Sequence, residues 1–279
     1  MKKFLFIAVV MMSAVVLVSC GKDNKDSKPK QEQIVGDEDT GAYDQDMGHP
    51  GSAHTVSGNQ VGDITGTPWQ YELWYSVGSN ALSYWSNGTF EATWNKPQDC
   101  IARVGYRYDS DHAVNHLDKK FAADYNYVKR GNGGQFSYIG AYGWTVDPLV
   151  EWSIVDDSFN PEFNGPSWMQ EFGDIELDGA KYTIYATWRT NVPSILGTRS
   201  FLQIMSVRSS KRTKGHMSLH AHFKKFAALF HGQKNSLIGN QDVSVAWGKL
   251  VEVSLFTEVG DGAIGSVTYN HVNITDNQQ

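Results

Sequence analysis

Two cysteines, Cys20 and Cys100, are all that the 279 residues contain, too few for a disulfide framework. Positive charge is also scarce. The 24 Lys and Arg stand against 30 Asp and Glu, with no basic patch, which argues against a nucleic-acid partner. A long hydrophobic run is missing: the apolar stretch from Phe4 to Val18 is short and stops at Ser19-Cys20-Gly21, unlike a transmembrane helix. There is no serine nucleophile elbow, no Walker-type loop and no internal repeat. Those absences set aside serine-elbow hydrolysis, P-loop nucleotide chemistry and solenoid folds.

What is present begins with an export signal. Lys2-Lys3 precede the apolar stretch, and Leu17-Val18-Ser19-Cys20 closes it as a lipoprotein cleavage box. Residues 1–19 are therefore expected to be removed, and Cys20 to carry the lipid that anchors the chain at the cell envelope, on the cell surface. Residues 20–60 are rich in Lys, Asp, Gln, Gly and Ser and poor in large apolar groups, so they read as a flexible tether. Within it, Lys22-Asp23-Asn24-Lys25-Asp26 suits a sorting signal or a solvated linker equally well. Loss of the two signal lysines leaves 22 basic against 30 acidic residues, a net charge of −8. With Cys20 lipidated, Cys100 stays unpaired and is expected as a small buried thiol. Residues 61–279 suffice for one folded domain with a full core, and nothing in them suggests more than a monomer.

Alternation of period two dominates that domain. Lys181, Thr183, Tyr185, Thr187 and Arg189 share one face, while Tyr182, Ile184, Ala186 and Trp188 share the other. Phe201–Val207, Val243–Trp247, Val251–Thr257 and Ser266–Ile274 read as further strands. Asn87-Gly88, Gly131-Asn132-Gly133-Gly134 and Asp178-Gly179 mark turns. One segment, Met217–Phe230, has helical spacing, with Gly232 to stop it. The pattern predicts an all-β fold, a two-sheet sandwich of jelly-roll type with one α-helix.

Two acids sit inside apolar strands, where a carboxylate is costly without a wet cleft or a partner. Glu151 shares a face with Leu149 and Ser153; Glu258 shares one with Glu252, Ser254 and Phe256. A carboxylate pair among many aromatics (nine Trp, thirteen Tyr) is the equipment for cleaving a glycosidic bond. Glu252 suits an ordinary surface position. His216, His220 and His222, and His112 with His116, have spacings that can bind metal, but no acidic or cysteine partner is evident, so they read as surface histidines.

The run Tyr142-Gly143-Trp144-Thr145-Val146-Asp147-Pro148-Leu149-Val150-Glu151 comes first, followed by Asp178-Gly179 with Tyr182 and Tyr185. Then follow Arg189-Thr190-Asn191-Val192-Pro193-Ser194-Ile195, Gln203 with Ser206-Val207-Arg208, and His222-Phe223. In order and spacing these pieces resemble the glycoside hydrolase family 11 endo-1,4-β-xylanases, from about Trp69 to Ile274. The resemblance implies a twisted β-jelly roll shaped like a partly closed right hand, xylan as substrate, and retaining double displacement without metal or organic cofactor. It gives Glu151 as nucleophile and Glu258 as acid/base, whose pKa should be raised. Asp99 matches the position that hydrogen-bonds the acid/base, and an aspartate there implies an acid-active enzyme. Trp74 matches an indole that stacks on a sugar, and Tyr142 a contact at the cleavage point. Arg189 would steady Glu151 and hold it ionised, and Gln203 would hydrogen-bond substrate. Pro193 and Ser194 match the tip of a thumb loop.

The chain departs from the family at four places. Ser153 stands two residues after the nucleophile where Tyr is usual, Glu252 replaces a cleft Tyr, Ile204-Met205 replace Tyr-Trp, and Glu258-Val259-Gly260 replaces the usual Glu-Gly-Tyr run. These losses leave two alternatives open: a catalytically weakened surface xylan-binding protein, or a β-glucan-directed hydrolase of the same fold.

Overall fold

The computed structural model describes residues 34–162, 164–230 and 247–278. The signal segment, Cys20, the Lys22–Asp26 run, the first part of the tether, Gly232 and all but the end of the Val243–Trp247 strand lie outside them. Among the described residues there are fifteen strands, beginning with β1 (His54–Val56), β2 (Gln60–Asp63), β3 (Gln70–Tyr75), β4 (Ala81–Tyr84), β5 (Phe90–Asn95), β6 (Asp99–Arg107), β7 (Lys119–Asn132) and β8 (Ser137–Val146). Then come β9 (Val150–Asp157), β10 (Gln170–Leu177), β11 (Ala180–Val192), β12 (Arg199–Arg208), β13 (Lys214–Met217), the helix α1 (Leu219–Phe230), β14 (Lys249–Gly260) and β15 (Ile264–Gln278).

They form two sheets, one ordered β1-β4-β5-β15-β7-β13 and the other β10-β11-β12-β9-β8-β14-β6-β3-β2. The fold is the two-sheet jelly roll that the alternation predicts, with one α-helix among the described residues. On β11, Tyr182, Ile184 and Ala186 are buried and Lys181 is exposed, as the period of two requires. Asp178 and Gly179 both take positive φ, 50° and 73°, the backbone of a type I′ hairpin between β10 and β11.

Aromatic rings and buried ions join the sheets. Tyr71 of β3 stacks on Tyr84 of β4 at 4.6 Å, and the Tyr269 hydroxyl of β15 donates to the Phe256 carbonyl of β14 at 2.8 Å. At the end of β9 the fully buried Asp156 accepts from Tyr125 at 2.5 Å, Tyr182 at 2.8 Å and Arg212 at 2.6 Å. A buried carboxylate is tolerable only with partners of this kind.

Three expectations need correction. The tether is docked from Ile34 onward rather than flexible to residue 60. Its polar groups find the body: the Asp37 amide donates to Ser218 Oγ at 2.7 Å, the Met47 amide to the Asn270 carbonyl at 2.9 Å, and His49 stacks on Trp85 at 4.1 Å. The histidines at the helix are not on the surface; His216, His220 and His222 are all buried. His216 Nδ1 lies 2.8 Å from Asp124 and His220 Nδ1 lies 3.1 Å from Asp37, so acidic partners do exist, on segments remote in sequence. Complete burial pushes the His222 imidazole down to about 3, and its edge packs on Tyr182. His116 is buried as well, beside Trp247, whereas His112 is exposed. The helix begins at Leu219 because Met217 belongs to β13, paired with Ala123.

Gly143 shows how tightly β8 is held. A Cβ there would lie 2.0 Å from the Glu252 carbonyl oxygen of β14 and 2.6 Å from the Trp152 ring of β9. Backbone on a central strand cannot step aside cheaply. Gly143→Ala is expected to cost about 2 kcal/mol or more in a denaturant titration; a loss too small to resolve would show that β14 yields.

Candidate active site

The nine-stranded sheet carries a cavity of about 500 Å³. Glu151 and Glu258 both line it, together with Asp99, Trp74, Tyr142, Arg189, Pro193, Ser194 and Gln203. Strand register explains the meeting. Across the parallel pair β9–β12, Glu151 is opposite Gln203, and across β8–β9 it is opposite Trp144. On β14, Glu258 is opposite Ile101 of β6 and Tyr138 of β8.

Both oxygens of Glu151 are occupied. Tyr142 Oη donates to Oε1 at 2.7 Å and Gln203 Nε2 donates to Oε2 at 2.7 Å. Arg189 Nη1 donates to Gln203 Oε1 at 3.1 Å, so the arginine reaches Glu151 through the amide rather than directly. Burial raises the Glu151 pKa; the Tyr142 bond and the charges of Arg189 and Arg103 act against that rise. Gln203 is thus committed at both ends of its amide in this state.

Glu258 is raised well above the usual carboxylate range, first by burial and then by the negative charges of Asp99 and Glu151. It keeps its proton at a pH where an exposed glutamate has lost it. Asp99 is pushed up to about 6, chiefly by burial, against the nearby Arg189. Asp99 Oδ1 is buried without a hydrogen-bond partner, and the Asp99 charge is felt at Glu258. Neighbouring Cys100 is buried and pushed up to about 12, an inert thiol.

Trp74 is 38% exposed, an indole face open to the cavity. Pro193 and Ser194 sit on the loop joining β11 to β12. There the Ser194 and Gly197 amides each donate to the other's carbonyl, at 3.0 and 3.1 Å. Of the departures, Ser153 and Met205 line the cavity, whereas Ile204 points into the core.

Glu252 is not a surface glutamate; it is 1% exposed. Arg103 Nε lies 2.8 Å and Arg107 Nη2 3.3 Å from its carboxylate, and Ser254 Oγ donates to it at 3.1 Å. Glu72 completes the network, with Arg103 Nη2 at 2.7 Å and Arg107 also in contact. Glu72 and Arg103 line the cavity and were missed by sequence reasoning, although strand parity puts Glu72 with Trp74 and Arg103 with Asp99. Trp168 was missed too. It is 53% exposed at the cavity, with the Arg189 guanidinium 5.3 Å from its ring, and it stands on a loop without periodicity.

A family model for "Glycosyl hydrolases family 11" matches residues 67–243. Endo-1,4-beta-xylanase C of Fibrobacter succinogenes is 38% identical over 235 residues, which cover 82% of this chain and 36% of that protein. Endo-1,4-beta-xylanase A of Bacillus pumilus is 37% identical over 180 residues, 64% of this chain and 75% of that one. The chain therefore spans little more than a third of the Fibrobacter relative and three quarters of the Bacillus one. The crystal structure of wild-type ENZbleach xylanase superposes with a TM-score of 0.72 at 26% identity, covering 90% of this chain and 96% of its own.

The electrostatic reading of the glutamate pair is open to measurement. Glu151→Gln removes a negative charge that favours the protonated form of Glu258, so the Glu258 titration midpoint moves down. Carbon-13 NMR of the Glu258 carboxyl reads it; an unmoved midpoint would mean the two acids do not sense each other.

Proposed function

The chain belongs to glycosyl hydrolases family 11, and from that premise we propose that it is an endo-acting 1,4-β-xylanase that retains configuration at the anomeric carbon. The observation that carries the reading is two glutamates in one cavity with unequal hold on a proton. Glu151 is bound by two neutral donors with two arginines near it, and Glu258 is raised further than Glu151.

In the first step Glu258 gives its proton to the glycosidic oxygen as the bond from that oxygen to C1 breaks. A Glu151 carboxylate oxygen bonds to C1, and the leaving half of the chain departs with a new hydroxyl. Glu151 is now an ester without charge, so Glu258 loses one cause of its raised pKa and can rest ionised. It then takes a proton from water while the water oxygen attacks C1 and the ester bond breaks. Glu151 returns as carboxylate, Glu258 as acid. Retention by this route needs carboxyls about 5–5.5 Å apart. Both steps run on carboxylates, so the proposal calls for no cofactor.

Trp74 supplies a stacking face for one sugar, and the Pro193-Ser194 turn closes over the chain. Above a pH of about 6 Asp99 gains its charge, which favours activity on the acidic side. Product release from soluble xylan between pH 4 and 8, for wild type and Glu151→Gln, tests the scheme. The variant is expected to lose at least about a thousandfold in kcat, and the wild type to decline above about pH 6. Equal activity in the two sinks the nucleophile. Tight xylan binding without new reducing ends would make this a binding protein, and cleavage of β-glucan with xylan ignored would change the substrate.

We also propose export and lipid anchoring at Cys20, supported by Lys2-Lys3, the apolar run and the Leu17–Cys20 box. Cys20→Ala is expected to move the protein from the membrane fraction to the soluble fraction of the expressing cells. Wild type in the soluble fraction would remove the anchor.

A further inference from the structure

Glu151 is flanked in the same manner on both sides. Towards β12 and β11, neutral Gln203 bonds to it and Arg189 stands behind Gln203. Towards β8 and β6, neutral Tyr142 bonds to it, and the Arg103 guanidinium carbon lies 4.8 Å from the Tyr142 ring centre. Each side has a neutral donor backed by a cation.

Arg103 is held more firmly than its counterpart. Its Nε lies 2.8 Å from Glu252 Oε1 and its Nη2 2.7 Å from Glu72 Oε2, with its side chain 7% exposed. Arg107 contacts the same two carboxylates, so two cations face two anions and the group is neutral as a whole. A purely structural ion group has no need of the cavity wall, yet Arg103 and Glu72 both line it. Glu252 stands where the resemblance implied a cleft tyrosine, so this network occupies the ground of a lost aromatic hydroxyl.

We propose that Arg103 is a positioning residue for the reaction: clamped between Glu72 and Glu252, it fixes the Tyr142 ring so that its hydroxyl stays on Glu151. The inference rests on the role given to Glu151 above. The groups facing Glu151 are Tyr142 from β8, Gln203 from β12 with Arg189 from β11 behind it, Arg103 and Asp99 from β6, and Glu258 from β14. Removing Arg103 takes away one of two cations and leaves both acids. Glu151 then holds its proton to higher pH, and the acid limb of the rate profile moves up.

The decisive variant is Arg103→Met with Glu252→Gln, which leaves Glu72 paired with Arg107 and so limits the risk of misfolding. Arg103→Lys keeps the charge but loses the planar fork. Two readouts are taken on each: the Glu151 carboxyl midpoint by carbon-13 NMR, and kcat and KM on soluble xylan across pH. The double variant is expected to raise the midpoint and the acid limb, and to lower kcat about tenfold with KM within about twofold. Arg103→Lys is expected to restore the midpoint and part of kcat. An unmoved midpoint in the folded double variant, or a loss confined to melting temperature, overturns the proposal; so does a rise in KM alone. If wild type ignores xylan, the function proposed above fails, while the titration still decides the role of Arg103.

Discussion

A glutamate carboxyl removed from water is the constraint on which this sheet depends. Burying a carboxylate costs several kcal/mol unless hydrogen bonds and opposite charge replace its hydration. Glu151 meets that demand by drawing one partner from each neighbouring strand, Tyr142 from β8 and Gln203 from β12. Each partner must be held in turn, by Arg103 on one side and Arg189 on the other. The register of the central strands is thereby tied to the chemistry. A slip of one residue in β8 or β12 would turn the donor to the opposite face and leave a bare charge.

Glu258 follows the opposite rule. It sits in the same cavity with negative neighbours and gains stability by keeping its proton. Two residues of one type behave differently because donors surround one and acids the other. This contrast needs no bound ion. It comes from which side chains the strand order brings alongside each acid.

Much of this was legible in the sequence. Period-two alternation over residues 181–189 was enough to give β11 its buried face, and the Asp178-Gly179 pair its turn. The nine cavity residues named from family resemblance do share one cavity. What stayed hidden was pairing at long range. Glu252 reads as exposed because its cations, Arg103 and Arg107, lie about 150 residues earlier. The same holds for His216 and Asp124, which are 92 positions apart. Residues 34–49 look like a linker on composition, since few of them are apolar; they dock through polar groups that composition does not register. Local pattern reports which face a side chain takes, and only topology reports what meets it there.

Among the described residues β9 and β12 form the one parallel pair. Parallel neighbours cannot be joined by a tight turn; the chain has to travel out through β10 and return along β11 before β12 can settle beside β9. Glu151 and Gln203 therefore come together only after some fifty intervening residues have found their places. Tyr142, by contrast, reaches the same carboxylate from the adjoining strand of the β8–β9 pair, nine positions away. The two partners of one carboxylate thus differ in how much chain must be in place before each can serve it.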